Sequence, residues 1–265
     1  MIRRPPRSTL DRSSAASDVY KRQGASGGIG EALSDIYYDN GANLVLTDIE
    51  PRLQNGNYPD GARLIPGDLS GLDSVENFAK RILDEVDSVD ILINNAGLQI
   101  VTPVDEFPDA DWLKLIQVML VAPFQLTKYF LPGMKRNKWG RIINISSIHG
   151  LVASPFKSAY VAAKHGLVGF TKTVATEVGE DGITANAICP GYVDTPLSRG
   201  QIKSQSELHG INEDEVISKI MLQNASIKEL IDPSEIASLS LFLSSNSAKS
   251  ITGSAYSIDA GWTAR

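Results

Sequence analysis

The sequence predicts an α/β fold of the Rossmann type, a doubly wound parallel sheet in a single domain, from three observations. Beyond residue 23, short apolar runs alternate with longer helical stretches, the pattern of a parallel sheet with helices on both faces. A glycine-rich turn, Gly24-Ala-Ser-Gly-Gly28-Ile29-Gly30, opens the first helical stretch, where backbone N–H groups can meet a pyrophosphate. An acid, Asp48, ends the following apolar run, at the roughly 20-residue spacing at which a carboxylate reaches a ribose.

Taken in order, the expected strands are 43–47, 63–65, 89–93, 141–145, 183–188 and 255–258. Most are rich in Val, Ile and Leu and run into Gly, Asp, Asn or Pro, as strands entering loops do. The expected helices are 28–40, 72–86, 109–136, 158–178 and 233–244. Pro233 stands at the start of its helix, where its missing N–H costs nothing. Residues 196–231 break the alternation with many polar residues and one helix near 213–221. A long insertion after a strand end reads as a lid.

Residues 1–23 differ from the rest. They carry six basic against two acidic residues in a chain of net charge −6, and no periodicity of helix or strand. A transit peptide and a disordered tail are two readings. The preferred reading is non-native: the stretch resembles translated sequencing-adapter sequence. The residues just before the glycine turn are Ser17-Asp-Val-Tyr-Lys-Arg-Gln23, whereas a strand buried on both faces reads as a near-continuous apolar run. The native first strand is therefore expected to be missing.

The acidic balance argues against nonspecific nucleic-acid binding and against an anionic membrane surface. No apolar run is long enough to span a bilayer. Cys189 is the only cysteine, so no intrachain disulfide forms and a reducing, cytoplasmic setting is the simplest expectation. No metal site is expected.

Asp48 would repel a 2′-phosphate, and no Arg or Lys lies in 24–30 or directly after Asp48, so NAD is favoured over NADP. In Gly67-Asp68-Leu69, Asp68 either faces the adenine or caps the next helix. Asn94-Asn95-Ala96-Gly97 follows an apolar strand; its small residues allow close approach to a cofactor, while the amides can also tie strands together. Tyr160 and Lys164 are four apart and share a helix face. A phenol with a reference pKa of about 10 is a poor base at neutral pH, and a nearby ammonium should lower it. Tyr160 could then take a hydroxyl proton as hydride leaves, with Ser147 holding the substrate oxygen.

Together these motifs resemble the short-chain dehydrogenase/reductase superfamily from Gly24 to the C-terminus. Within it, the segments 94–99 (NNAGLQ), 131–169 and 186–197 are similar to the bacterial D-3-hydroxybutyrate dehydrogenases. The resemblance implies catalytic Ser147, Tyr160 and Lys164, and a cofactor site including Pro190, Gly191, Val193 and Thr195, with Thr195 at the nicotinamide carboxamide. It implies a small anionic hydroxy or keto acid held by Gln99, His149, Lys157 and Gln201, and the ketone body acetoacetate as product. It also implies a homotetramer built on the helices within 109–136 and 158–178. A small carboxylate needs a cation and several donors, which agrees. Trp262 either closes the pocket or packs, and packing is favoured.

One departure stands out: Met119 occupies the position of a relay asparagine, and methionine cannot donate or fix a water well. Other readings remain open. The chain could act on a sugar, polyol or 3-oxoacyl substrate, or bind NAD without catalysis, since fold does not fix function.

Overall fold

The computed structural model describes residues 19–23, 28–53 and 58–264. Among the described residues, seven parallel strands form one sheet in the order β3-β2-β1-β4-β5-β6-β7. The strands are β1 (Val19–Gln23), β2 (Asn43–Thr47), β3 (Arg63–Leu64), β4 (Ile91–Asn94), β5 (Gly140–Ile145), β6 (Ile183–Pro190) and β7 (Ala255–Ile258). Strand order reverses between β1 and β4, so the crevice beyond their carboxyl ends is the place where such sheets bind ligands.

Between the strands run α1 (Gly28–Asp39), α2 (Glu50–Leu53), α3 (Leu72–Glu85), α4 (Asp109–Ile116), α5 (Ala122–Asn137), α6 (Ser158–Val178), α7 (Pro196–His209), α8 (Glu213–Val216) and α9 (Pro233–Ser244). The strands feed both faces, because successive side chains point opposite ways. Val45, Leu92 and Ile142 pack with Phe78, Leu126 and Phe130. Leu44, Leu46, Ile91, Ile93 and Ile143 pack with Leu33, Tyr37 and Leu243 on the other side.

The first strand departs from the sequence expectation. Val19–Gln23 reads as a poor candidate for a buried strand, and its backbone nevertheless forms β1, parallel to β2 and β4. A slot between two strands presents backbone donors and acceptors on both sides, and any non-proline backbone satisfies them. Residues 1–18, Gly24 and the rest of 24–27 lie outside the described residues.

Two other elements differ from expectation. The helix expected over 109–136 is broken by a π-helical turn, Gln117–Val121, in which Ala122 N donates to Gln117 O. Pro123 follows directly and has no N–H for an i→i−4 bond onto Met119, which favours the wider turn. The region 196–231, read as largely irregular, contains the 14-residue helix α7, started by Thr195 as its cap and Pro196 in its first turn. It has its own apolar cluster of Ile202, Val216, Met221, Leu222 and Ala225, so it packs around a small core of its own.

Candidate active site

Strand β5 delivers the first of the residues expected to be catalytic. After Ile145, Ser147 caps a short 3-10 turn, Ile148–Gly150, its Oγ accepting from His149 N at 3.1 Å. The turn seats on α6. Ser146 Oγ donates to the Lys164 carbonyl at 3.0 Å, and a Cβ at Gly150 would stand 2.8 Å from that same oxygen, so only glycine permits this approach. Helix α6 carries Tyr160 and Lys164 one turn apart. Lys164 Nζ donates to Ile145 O at 2.7 Å and lies 5.6 Å from the centre of the Tyr160 ring.

Burial dominates the titration of both. It pushes the Lys164 ammonium down to about 8 and the Tyr160 phenol up, while a hydrogen bond with Ser147 lowers the latter and the nearby Tyr192 raises it again. The sequence reading expects the Lys164 charge to lower the Tyr160 pKa; the Ser147 hydrogen bond is a second group acting in that direction. The lysine ammonium is held on a backbone carbonyl beside the ring and is itself disfavoured as a cation by burial.

Beside this pair the structure places His149 and Lys157, two of the residues expected to hold a carboxylate, while the other two, Gln99 and Gln201, bond to each other. His149 is buried, its Nδ1 without a hydrogen-bond partner. Its ring stands edge-on to Tyr160 at 6.1 Å and to Trp262 at 6.2 Å. Burial and the Lys157 charge lower the His149 pKa to about 4, so the ring is neutral. Lys157 is also buried, its ammonium 5.9 Å from the Tyr192 ring centre, and burial lowers its pKa. Gln201 from α7 donates to Gln99 Oε1 at 2.6 Å, leaving Gln99 Nε2 buried and unpartnered. Trp262 Nε1 is a further buried donor without a partner.

Tyr192 and Trp262 were underweighted in the sequence. Tyr192 sat inside a segment carried by resemblance without a role, and Trp262 was favoured as packing. It does pack, on the lid cluster, but its other contact is His149.

The residues expected to meet the cofactor fall at or after the carboxyl ends of the strands. At Gly28, a Cβ would stand 3.0 Å from Thr195 Cγ2, so the glycine turn and the β6–α7 loop meet with no room for a side chain. Ile29 and Gly30 begin α1. Asp48 follows β2, its Oδ1 accepting from Ile49 N at 2.8 Å. Asp68 neither caps the next helix, whose cap is Gly71, nor is buried; both its oxygens accept from Ser70. Leu69 is buried in the main core.

Asn94 ties strands: its Nδ2 donates to Asn144 Oδ1 at 2.8 Å, and Asn144 Nδ2 donates to Thr171 Oγ1 at 2.8 Å. Asn95, Ala96 and Gly97 follow at the strand end, and a Cβ on Gly97 would lie 4.0 Å from Met119 Sδ. Met119 is buried and contributes no polar side-chain atom there. Pro190 ends β6, and Gly191 N donates to Ile258 O at 2.8 Å. Val193 pairs with Ile231 at the base of the lid. Thr195 Oγ1 accepts from Ser198 N at 3.2 Å, so it already serves as a helix cap.

A family model described as Enoyl-(Acyl carrier protein) reductase matches residues 24–263. The chain belongs to the short-chain dehydrogenase/reductase family. It is 43% identical over 257 residues to the D-beta-hydroxybutyrate dehydrogenase of Rhizobium meliloti, covering 91% of this chain and 97% of that protein. It is 38% identical to the enzyme of the same name from Cupriavidus necator, covering 91% and 96%. Among solved structures it is similar to a 4-hydroxyisoleucine dehydrogenase complexed with NADH, at 35% identity and a TM-score of 0.82, covering 94% of this chain and 99% of that one.

Proposed function

We propose that this protein oxidises D-3-hydroxybutyrate to acetoacetate with NAD as hydride acceptor, and runs the reverse reduction. The observation that carries the reading is a buried cation and a buried, unpartnered imidazole nitrogen beside Tyr160, with an unpartnered amide donor on Gln99. Gln99 Nε2 and His149 Nδ1 have no partner, and Lys157 is a buried cation. Leaving buried polar groups unpartnered is costly, and a small carboxylate would accept from Lys157, from Gln99 Nε2 and from His149 in its Nδ1–H tautomer.

The cofactor fits the residues present. Gly28 keeps its turn clear of any side chain against Thr195, and Asp48 supplies a carboxylate at the end of β2, which suits ribose hydroxyls and opposes a 2′-phosphate. Pro190, Gly191 and Val193 line the same crevice. NAD when bound supplies the acceptor for the hydride from C3. The chain's own residues handle the proton: Ser147 Oγ holds the C3 oxygen, and Tyr160 Oη receives the hydroxyl proton. Lys164, held on the Ile145 carbonyl, stabilises the phenolate that precedes that transfer. Lys157, His149 and Gln99 fix the carboxylate, so only one face of C3 is presented.

The protein acts as a homotetramer in the cytoplasm, in ketone-body metabolism. Exposed Leu113 and Phe124 on α4 and α5, with Phe124 edge-on to Phe170 of α6 at 6.2 Å, support an oligomer built on those helices. Among the described residues, no helix is long and apolar enough to cross a membrane.

NADH absorbance with D- and L-3-hydroxybutyrate, and with NAD or NADP, tests the reading. Turnover of the D isomer with NAD is expected, and Lys157→Ala should raise KM about tenfold or more, the worth of one charged hydrogen bond. A folded protein that binds NADH and oxidises neither isomer would sink the proposal.

A further inference from the structure

We infer that Asp259 is a positioning residue, whose carboxylate folds the turn 259–263 so that it joins the lid to the substrate pocket; this rests on the hydroxybutyrate reading above. The turn follows β7 directly. Asp259 Oδ1 accepts from Gly261 N at 3.1 Å, and Oδ2 accepts from Thr263 N at 2.9 Å and from the Thr263 hydroxyl. Trp262 N also donates to the Asp259 carbonyl at 3.0 Å. Charge-assisted bonds to backbone donors are the stronger kind, so one side chain holds the whole turn.

Three parts of the active site meet on that turn. The Ala260 carbonyl accepts from Ser226 N at 2.7 Å and Ile227 N at 3.0 Å, which pins the far end of the lid. Asp259 itself backs the β6 exit loop: a Cβ on Gly191 would stand 3.0 Å from Asp259 Cα. Trp262 packs on the lid cluster and sets its ring edge-on to His149, which in turn stands edge-on to Tyr160.

The backbone shows that this geometry is imposed. Ala260 has φ 55° and Gly261 φ 77°, two successive left-handed residues of which one bears a Cβ. That conformation is disfavoured for alanine and persists where surroundings hold it. Without the carboxylate, the turn would relax, the indole would leave His149, and the carboxylate pocket would loosen while the glycine turn and Lys164 kept their places.

The test uses the full-length protein with Trp112→Phe and Trp139→Phe, so that Trp262 is the sole indole. Asp259→Ala and Asp259→Asn are compared with the parent by acrylamide quenching, NADH affinity, melting temperature and steady-state kinetics. Asp259→Ala should expose Trp262 to quencher and raise KM for D-3-hydroxybutyrate about tenfold, with kcat and NADH affinity close to the parent. Asp259→Asn, which keeps one carbonyl acceptor, should fall between. If Asp259→Ala does not fold, Thr263→Val, which removes one of the three carboxylate contacts, reads the same quantities. Unchanged quenching, or a looser Trp262 with unchanged KM, overturns the inference. So does a parallel fall of KM performance, kcat, NADH affinity and melting temperature, which would mark a merely structural turn. A parent protein that turns over neither isomer sinks the substrate reading, and quenching alone then decides the turn.

Discussion

Gln201 on the lid helix and Gln99 in the loop after β4 are 102 residues apart in sequence and bonded at 2.6 Å. The bond ties α7 to that loop and leaves Gln99 Nε2 as the unpartnered end of the amide. Gln99→Ala and Gln201→Ala should each raise KM for the hydroxy acid, Gln99→Ala by about 10-fold or more and Gln201→Ala by less. A double-mutant cycle should show the two effects falling short of additive, because they share one contact. Full additivity would mean that each glutamine meets the substrate independently.

His149 makes stability depend on acid. Its folded pKa is about 4 against an ordinary 6.5. As pH falls through that window the unfolded chain takes up the proton first, so stability is full above about 6.5 and is lost toward pH 4. The shift corresponds to about 3 kcal/mol at most. His149→Gln should flatten the acid limb of a urea-denaturation series between those pH values. An unchanged limb would assign the acid sensitivity elsewhere.

Phe156 has φ 64° and is exposed, so its phenyl ring adds little burial to offset a left-handed backbone. Its carbonyl accepts from Thr102 N at 2.8 Å, which holds the residue before Lys157 in place. Phe156→Asn should stabilise the protein by about 0.5–1 kcal/mol, since asparagine tolerates this conformation, with KM unchanged. Loss of stability in chemical denaturation would show that the ring itself packs usefully.

Strand β1 has β2 on one side and β4 on the other, a place where such sheets hold apolar residues. Its sequence includes Lys21, Arg22 and Gln23. Lys21→Val with Arg22→Val should raise the melting temperature by about 2–4 °C for each kcal/mol regained. A fall would show that the polar strand suits this sheet and would end the proposal that residues 1–23 are non-native.

The alternation of apolar runs and helical stretches determined the parallel sheet, because local periodicity reports which faces are buried. The order of glycines, Asp48, Ser147, Tyr160 and Lys164 marked the candidate site for the same reason: each motif falls on one strand end or one helix face and needs no distant partner to be seen. Other features depended on the fold. Whether Val19–Gln23 enters the sheet is decided by backbone slots on β2 and β4, which side-chain pattern does not report. The wider turn at Gln117–Val121 depends on hydrogen bonds that Pro123 cannot make. Which group tunes Tyr160 depends on burial, and burial exists only after the chain has closed on itself. The meeting of Gln99 with Gln201, and of Trp262 with His149, joins residues more than 100 positions apart, a contact that no local spacing encodes.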